Sequence, residues 1–205
     1  VWRSFTVSSS PARPETIDLT IKMNPVGEVS RYLFETAAVG SSLRVKGTQG
    51  GFFFDPEKHT EPLLLVSAGS GITPMMSIAR YLADRGIARE CLFVHGARTP
   101  SDIIFAEQCM SLAAQSPWLK YVVTLSQPSD SWTGRCGRVT TQCIVENLPD
   151  VAGARAFLCG PNDFMDALRE QLMKAGVPAD RIHTEQFQKS PMRAISLERD
   201  TGPHA

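Results

Sequence analysis

The sequence predicts two unlike regions: a short β-rich region followed by a longer α/β region built on a parallel sheet. Short apolar runs and alternating patterns fill residues 1–56, with no long stretch of helical spacing. From Leu63 onward, apolar runs alternate with segments of helical spacing, which is typical of a parallel sheet covered by helices on both faces. Turns rich in glycine and proline follow several of these runs, and open α/β sheets bind ligands beyond such strand ends.

The composition is that of a globular protein and argues against several classes of function. Hydrophobic residues make up 42% of the chain, and the 21 basic residues equal the 21 acidic ones, so no basic surface for nucleic acid is indicated. No apolar stretch approaches the roughly 20 residues of a membrane span. The five cysteines form no C-x-x-C pair and the four histidines show no ligand spacing, so no disulfide framework and no metal site are predicted. A reducing, cytoplasmic location is expected.

The first region is predicted to contain four short strands and one short helix. The strands are expected at 3–7, 16–23, 43–45 and 52–54, with a turn over 47–51. Ser30 is predicted to cap a helix over 31–36. So few strands bury little surface, and the chain opens on Val1 rather than Met, so we expect further strands to precede it. A polar linker over 55–59 ends the region.

The second region is predicted to contain five strands and four helices. The strands are expected at 63–66, 91–94, 121–125, 156–158 and 181–183, and the helices at 75–82, 103–114, 141–147 and 164–175. Residues 188–205 carry prolines and many charges, which is typical of a tail or a linker.

The segment after the first of these strands has the features of a phosphate-binding turn. Gly69 and Gly71 break the strand, and Thr73 is predicted to cap a helix whose first residue is Pro74. The N-terminus of a helix offers free N–H groups and a positive dipole end to a phosphate. The spacing G-x-G-x-x-P differs from the dinucleotide fingerprint G-x-G-x-x-G, and these residues alone fit a ligand-free turn equally well.

Six motifs in order extend this prediction. They are RSFTVSSSP at 3–11, GEVSRYL at 27–33, GSGITP at 69–74, GARTPSDIIFAEQ at 96–108, CGPNDFM at 159–165 and HTEQF at 183–187. With them the chain resembles the ferredoxin–NADP reductase superfamily, and within it the NADH oxidoreductases of the hybrid-cluster-protein reductase and oxygenase-reductase type. The resemblance implies a partial flavin-binding β-barrel at residues 1–56, a five-stranded parallel Rossmann-like domain at 62–187, and a tail at 188–205.

The resemblance assigns the first motif to the flavin. Arg3 would neutralise a flavin phosphate, since its planar guanidinium suits such a contact, and Ser4 lies beside it in the motif. Phe5, in place of the commoner tyrosine, would pack on the isoalloxazine, and Thr6 would offer its hydroxyl group to flavin N5. Without the other motifs, an ordinary edge strand with one exposed arginine explains these residues better.

The second motif is assigned to the flavin pyrophosphate. Gly27 would allow close approach, and the backbone N–H groups from Val29 through Ser30 would bind the phosphates at a helix start. A plain capped helix is the alternative on the sequence alone.

The remaining motifs are assigned to the nicotinamide dinucleotide. Its pyrophosphate would lie on the turn that contains Gly69, Gly71, Thr73 and Pro74. Arg98 and Asp102 follow the second strand, where such folds bind the adenosine ribose, although a solvated Arg/Asp pair beside a helix cap is an equal alternative.

The last two motifs are placed by the resemblance near the reacting rings. Cys159, followed by Gly160 and Pro161, would lie near nicotinamide C4, whereas a cysteine that ends a buried strand is more often inert packing. Glu185 and Phe187 match the family's C-terminal E-x-[F/Y] pattern near the flavin. The resemblance thus implies catalytic roles for Thr6, Cys159 and Glu185.

The activity implied is oxidation of NADH by an FAD enzyme. Hydride would pass from nicotinamide C4 to flavin N5, and electrons would leave singly to an iron–sulfur ferredoxin domain or protein, or to an oxygenase component. NADPH is less favoured, because no cluster of cations accompanies Arg98 and Asp102 would repel a 2′-phosphate. No iron–sulfur cluster is expected in this chain, since its cysteines lack the required spacing. The alternatives are a free-standing diaphorase or a ferric or flavin reductase, and a non-catalytic nucleotide-binding regulatory subunit.

Overall fold

A computed structural model describes residues 1–47 and 50–187 of the chain. Its centre is a parallel sheet of six strands in the order β4-β3-β2-β1-β5-β6. The strands are β1 (Leu63–Ala68), β2 (Cys91–Ala97), β3 (Leu119–Leu125), β4 (Arg135–Cys136), β5 (Arg155–Cys159) and β6 (Ile182–Glu185). The helices are α1 (Glu28–Glu35), α2 (Ile72–Asp84), α3 (Ala106–Gln115), α4 (Thr141–Asn147) and α5 (Asn162–Lys174).

The sheet confirms the predicted α/β class, but its strand number was predicted wrongly. Five strands match the five apolar runs, and β4 is additional. β4 pairs only with the end of β3, Arg135 with Thr124 and Cys136 with Leu125, and both β4 residues are exposed. A two-residue edge strand of polar sequence buries no apolar run, so it leaves no pattern to detect.

An apolar core covers each face of the sheet. Leu64 and Val66 of β1 face α4 and α5, whereas Leu63 and Leu65 face α2 and α3. All four side chains are fully buried, because β1 lies inside the sheet with helices on both sides. Burial of each is worth about 1.5–3 kcal/mol, so this run anchors the fold.

Helix α3 begins at Ala106, later than predicted, because a 3₁₀ turn and a short non-helical segment precede it. Pro100–Asp102 forms a 3₁₀ turn, Ile103 is extended, and Phe105 precedes the helix with φ 59°. A left-handed backbone costs a residue with a Cβ about 1–2 kcal/mol, so the surroundings of Phe105 must enforce it. The predicted start at residue 103 is therefore wrong.

Among the described residues, no helix combines the length and the apolar character that crossing a membrane requires.

The four strands predicted for the first region are wrong. Among the described residues before Leu63, backbone pairing is limited to one isolated antiparallel bridge between Val7 and Leu19. Serine side chains supply hydrogen bonds there that a paired strand would otherwise supply. The Ser9 hydroxyl group, for example, accepts a hydrogen bond from the Asp18 N–H. Apolar residues of the predicted strands stay largely exposed, including Ile17, Met23, Leu43 and Val45. The alternating pattern was present, but a strand forms only where a second strand supplies hydrogen-bonding partners.

Two predicted features lie outside the described residues. These are part of the turn over 47–51 and the tail over 188–205.

Candidate cofactor site

The carboxyl edge of the sheet contains a row of four polar or ionisable side chains on neighbouring strands. Ser67 of β1 is in register with His95 of β2 and with Cys159 of β5, and Cys159 is in register with Glu185 of β6. Residues in register on parallel strands share a face of the sheet, here the face that carries α2 and α3. The predicted site residues Cys159 and Glu185 are thus brought together.

The strand order reverses between β1 and β5 at this edge. The chain leaves β1 toward β2 on one side, whereas β5 lies on the other side of β1. Such switch points are where open α/β sheets bind ligands. The turn Gly69–Gly71 after β1 and the turn after β5 therefore lie next to each other at the expected site.

Glycines allow these two turns to pack backbone against backbone. A Cβ atom on Gly71 would lie 2.1 Å from the carbonyl oxygen of Cys159, and one on Gly160 would lie 2.9 Å from the Phe164 ring. Gly69 has φ +55°, in the left-handed region that favours glycine. Backbone without side chains therefore lies at this end of the sheet, and its N–H groups are chemically suited to a pyrophosphate.

Helix α2 starts directly from this turn. Gly71 is its N-cap, and no side chain caps the first N–H groups of the helix. The prediction that Thr73 caps the helix and Pro74 begins it is wrong, because the 3₁₀ turn continues into the helix two residues earlier. The Thr73 hydroxyl group instead donates to the Ser70 carbonyl oxygen at 3.1 Å, which braces the turn.

Helix α1 is a second helix start without a side-chain cap. It begins at Glu28, directly after Gly27, so the predicted short helix is present, but its predicted start at residue 31 and its predicted Ser30 cap are wrong. The Ser30 hydroxyl group accepts the N–H of Asn24 at 3.2 Å, and it lies within hydrogen-bond distance of the Gly27 carbonyl oxygen. A Cβ atom on Gly27 would lie 2.7 Å from that hydroxyl oxygen. Val29 and Ser30 thus remain placed to present backbone N–H groups, as their assignment requires.

Comparison with known proteins identifies the family. The oxidoreductase NAD-binding domain family matches residues 65–170, and the oxidoreductase FAD-binding domain family matches residues 1–54. Ferredoxin–NADP reductase B of Sorangium cellulosum is 32% identical over 194 residues, covering 91% of this chain and 78% of that protein. The chain belongs to the ferredoxin–NADP reductase superfamily.

Other similar proteins are named as reductase subunits or as FAD/NAD-binding domains. The glycine betaine monooxygenase reductase subunit of Chromohalobacter salexigens is 34% identical over 194 residues, covering 93% of this chain and 52% of the subunit. The chain thus spans about half the length of that relative. The FAD/NAD-binding domain of nitric oxide dioxygenase from Vibrio cholerae superposes with a TM-score of 0.78 at 27% identity, covering 89% of this chain and 76% of that domain.

These findings confirm the resemblance, the fold class and the cofactors expected from the sequence. The superfamily combines a flavin-binding region with a nicotinamide-nucleotide domain, and both families match here. The roles of individual residues are not tested by the comparisons, and they stay predictions that the geometry can support or weaken.

The structure places Cys159 in a buried position where its thiol stays protonated. Cys159 is fully buried, and burial, together with the nearby Glu185 carboxylate, raises the pKa of its thiol to about 12. Burial also raises the pKa of Glu185 above its ordinary range. Pro161 is the N-cap of α5, and Phe187 lies beyond β6 with 42% of its surface exposed. Cys159 therefore holds a neutral, buried S–H group at the carboxyl end of β5.

Asp102 already has hydrogen-bond partners of its own within the loop that follows β2. Its carboxylate accepts hydrogen bonds from the Thr99 N–H at 3.0 Å and the Thr99 hydroxyl group at 2.7 Å. These bonds form a capping box, and they hold the pKa of Asp102 below its ordinary range. Arg98 is exposed just before this box, and its carbonyl oxygen accepts the Gln127 N–H. Asp102 thus shapes the loop that presents Arg98.

The flavin motif lies where the chain enters the bridge with Leu19. Arg3 is exposed and donates to the Trp2 carbonyl oxygen at 2.7 Å, Ser4 is exposed, and Phe5 and Thr6 are half-buried. An exposed guanidinium with a local backbone contact remains able to take an anionic ligand.

Sequence reasoning missed the pair Ser67 and His95. The Ser67 hydroxyl oxygen lies 2.9 Å from His95 Nδ1, and both residues are fully buried. Burial lowers the pKa of His95 to about 4, so its ring is neutral, and among the described residues its Nε2 has no hydrogen-bond partner. The available signal was a histidine inside the apolar run CLFVHGA.

Proposed function

We propose that this chain is the FAD- and NADH-binding module of an oxygenase reductase. It would oxidise NADH and pass electrons singly to an iron–sulfur ferredoxin domain or protein, or to an oxygenase component. The observation that carries the proposal is the close backbone approach of Gly71 to Cys159, because it places backbone without side chains at the switch point. Relatives named as monooxygenase reductase subunits support the kind of partner.

We propose that the flavin domain is residues 1–56 and the nucleotide domain residues 62–187, joined by a polar linker. In the first, Arg3 and the N–H groups of Val29 and Ser30 would hold phosphates, while Phe5 would pack on the ring system. When bound, FAD supplies the two-electron to one-electron conversion that the reaction needs. The chain's own contribution is to bind and orient both cofactors.

The row of side chains at the sheet edge keeps the nicotinamide side of the site neutral and dry. Burial keeps the Cys159 thiol protonated and the His95 ring uncharged at pH 7. The member of this row on β6 is Glu185, and burial raises the pKa of its carboxyl group. We propose that this row excludes water and orients the nicotinamide, without any proton transfer by Cys159.

We also propose a cytoplasmic location. The five cysteines in the described part of the chain are free thiols, which fits a reducing compartment.

The absorption spectrum of the purified full chain, before and after anaerobic NADH, tests the proposal. A flavin spectrum that NADH bleaches supports it, and rapid electron transfer to an iron–sulfur protein, but not to free flavin, supports the partner. A flavin spectrum unchanged by NADH would instead favour a non-catalytic nucleotide-binding subunit. Transfer to free flavin alone would favour a diaphorase.

Arg3→Ala is expected to lower flavin content at purification without unfolding the chain. Charge-assisted contacts to phosphate are worth about 1.5–3 kcal/mol, so flavin affinity should fall about tenfold or more. The ratio of flavin to protein absorbance measures the loss, and Lys174→Ala is the control, since Lys174 forms an ion pair with Glu170 on the exposed face of α5. Wild-type flavin content in a folded Arg3→Ala variant would remove Arg3 from the site.

The chain is expected to prefer NADH over NADPH. Arg98 could pair with a 2′-phosphate, but the adjacent Asp102 carboxylate is fixed in its capping box beside it and keeps its negative charge. The ratio of kcat/KM for the two dinucleotides measures the preference. A ratio favouring NADPH tenfold, about 1.4 kcal/mol, would contradict it.

A further inference from the structure

One face of α2 carries three polar side chains that reach the N-terminal region. Ser77, Arg80 and Asp84 lie three and four positions apart, so they form one row, here called the α2 stripe. The Ser77 hydroxyl group donates to the Ser9 carbonyl oxygen at 2.8 Å. The Asp84 carboxylate accepts two hydrogen bonds from the Arg13 guanidinium, one of them from Nε at 3.0 Å.

Arg80, at the centre of the α2 stripe, joins three segments of the chain. Its Nη1 donates to the Ser8 carbonyl oxygen at 2.6 Å, and its Nη2 donates to the Gln108 side chain. Its guanidinium lies 5.0 Å from the centroid of the Phe105 ring, the residue with the left-handed backbone. Only 21% of the Arg80 side chain is exposed, so these contacts fix its orientation.

The segment that the α2 stripe contacts is the continuation of the flavin motif. Ser8, Ser9 and Ser10 directly follow residues 3–7 and are buried, with at most 7% of their surface exposed. Serine is mostly an exposed residue, and here backbone and hydroxyl contacts compensate its burial. The N-terminal region is therefore seated on α2 through specific polar contacts.

The same helix begins at the dinucleotide turn. Thr73, which braces that turn, lies four positions before Ser77 on the same side of α2. We infer that the α2 stripe is a positioning device: it sets the flavin segment relative to the dinucleotide turn, and thus the distance that hydride must cross. The inference rests on the proposed function. A misplacement of 1 Å far from the chemistry can slow a reaction about 100-fold.

Arg80→Met tests the inference, because methionine keeps much of the apolar stem and removes the donors. In the full chain loaded with FAD and mixed anaerobically with NADH, we expect the limiting rate of flavin reduction to fall about tenfold. The Kd for NADH should change less than about twofold, since the turn itself is intact. Arg80→Lys, which keeps one donor for the Ser8 carbonyl oxygen, should restore part of the rate. Glu170→Gln, a change on the exposed face of α5, is the control.

A charge exchange gives a second readout. Arg13→Glu and Asp84→Arg should each slow flavin reduction, and the double variant should recover most of the rate because it rebuilds the pair in reverse. A merely stabilising role would lower the Tm of Arg80→Met with no change in limiting rate, and that result would overturn the inference.

Hydrogen exchange separates this inference from the proposed function. In the ligand-free chain, Arg80→Met should accelerate amide exchange several-fold over residues 8–20 relative to Glu170→Gln. Unchanged exchange there would overturn the inference even if NADH reduces the flavin. If wild-type flavin is not reduced by NADH, the proposed function fails, and the exchange rates alone decide whether α2 holds the segment.

Discussion

Replacing Gly71 with alanine is expected to abolish most NADH oxidation. The added Cβ would lie 2.1 Å from the Cys159 carbonyl oxygen and 2.5 Å from its carbonyl carbon. Both are backbone atoms inside the sheet, so no side-chain rotation can relieve the clash, and the two turns must move apart. A shift of this size at the site should lower kcat/KM for NADH about 100-fold, with a stability loss of about 1–3 kcal/mol.

Steady-state kinetics and thermal unfolding, measured together, separate the two effects of Gly71→Ala. Gly51→Ala is a matched control, because within the described part of the chain a Cβ there meets no atom within 4 Å. FAD content should stay near the wild-type value in Gly71→Ala, since the flavin motifs lie in another part of the chain. Wild-type kcat/KM in Gly71→Ala would show that the turn at the switch point is not the dinucleotide site.

The central strands could be predicted because burial on both faces requires unbroken apolar runs. Leu63–Ala68 and Cys91–Ala97 are flanked by strands and covered by helices, so their sequences carry the signal strongly. The edge strand Arg135–Cys136 has no such requirement and was missed. The strands expected in residues 1–56 show the opposite error, because alternation records which side chains are apolar but not whether a pairing partner is present.

The candidate site could be predicted by residue type but not by contact. Gly71 was assigned from its motif, yet the reason it must be glycine is the Cys159 carbonyl oxygen, which only the sheet topology brings close. The pair Ser67 and His95 depends in the same way on the register of β1 and β2. A polar residue inside an apolar run is a weak signal unless its partner is known.

The α2 stripe was invisible for a different reason. Polar residues at helical spacing on an amphipathic helix are ordinarily the solvent face, and Ser77, Arg80 and Asp84 fit that pattern. Their partners, Ser8, Ser9 and Arg13, precede them by a whole region of the chain. Spacing can thus show which residues share a helix face, and tertiary structure is needed to show what that face meets.

A half-buried ionic cluster joins Glu61, which lies just before β1, to the amino ends of β5 and β6. The Arg155 guanidinium donates to both Glu61 oxygens, at 3.1 and 2.9 Å, and its Nη1 lies 2.9 Å from His183 Nε2. The His183 ring stacks on Phe157 with centroids 4.8 Å apart and lies 5.6 Å from the ring of His59. Since the guanidinium has only donors, His183 Nε2 must accept, and the His183 ring is neutral.

Arg155→Met is expected to destabilise the fold by about 3 kcal/mol at pH 7. The side chains of Arg155 and Glu61 are only 12% and 15% exposed, and removing one partner of a buried pair typically costs about 3–5 kcal/mol. Glu61 keeps the Arg181 guanidinium at 3.2 Å as a second partner, so the loss should lie at the lower end of this range. For a chain of this length the Tm should fall by roughly 6–12 °C. Glu170→Gln, which breaks an exposed i,i+4 pair, is the control and should cost at most about 0.5 kcal/mol.

The pH dependence of that loss identifies its cause. The Arg155 guanidinium lowers the pKa of Glu61 from 4.5 to about 2, so this stabilisation is complete above pH 4.5 and is lost as the pH falls toward 2. Burial and Arg155 also lower the pKa of His59 and His183, so protonation of these rings below their ordinary 6.5 weakens the wild-type fold further. In urea titrations, the difference in unfolding free energy between wild type and Arg155→Met should therefore shrink to about half or less by pH 3. A difference that stays constant from pH 7 to pH 3 would mean that the ion pair between Arg155 and Glu61 does not cause the loss.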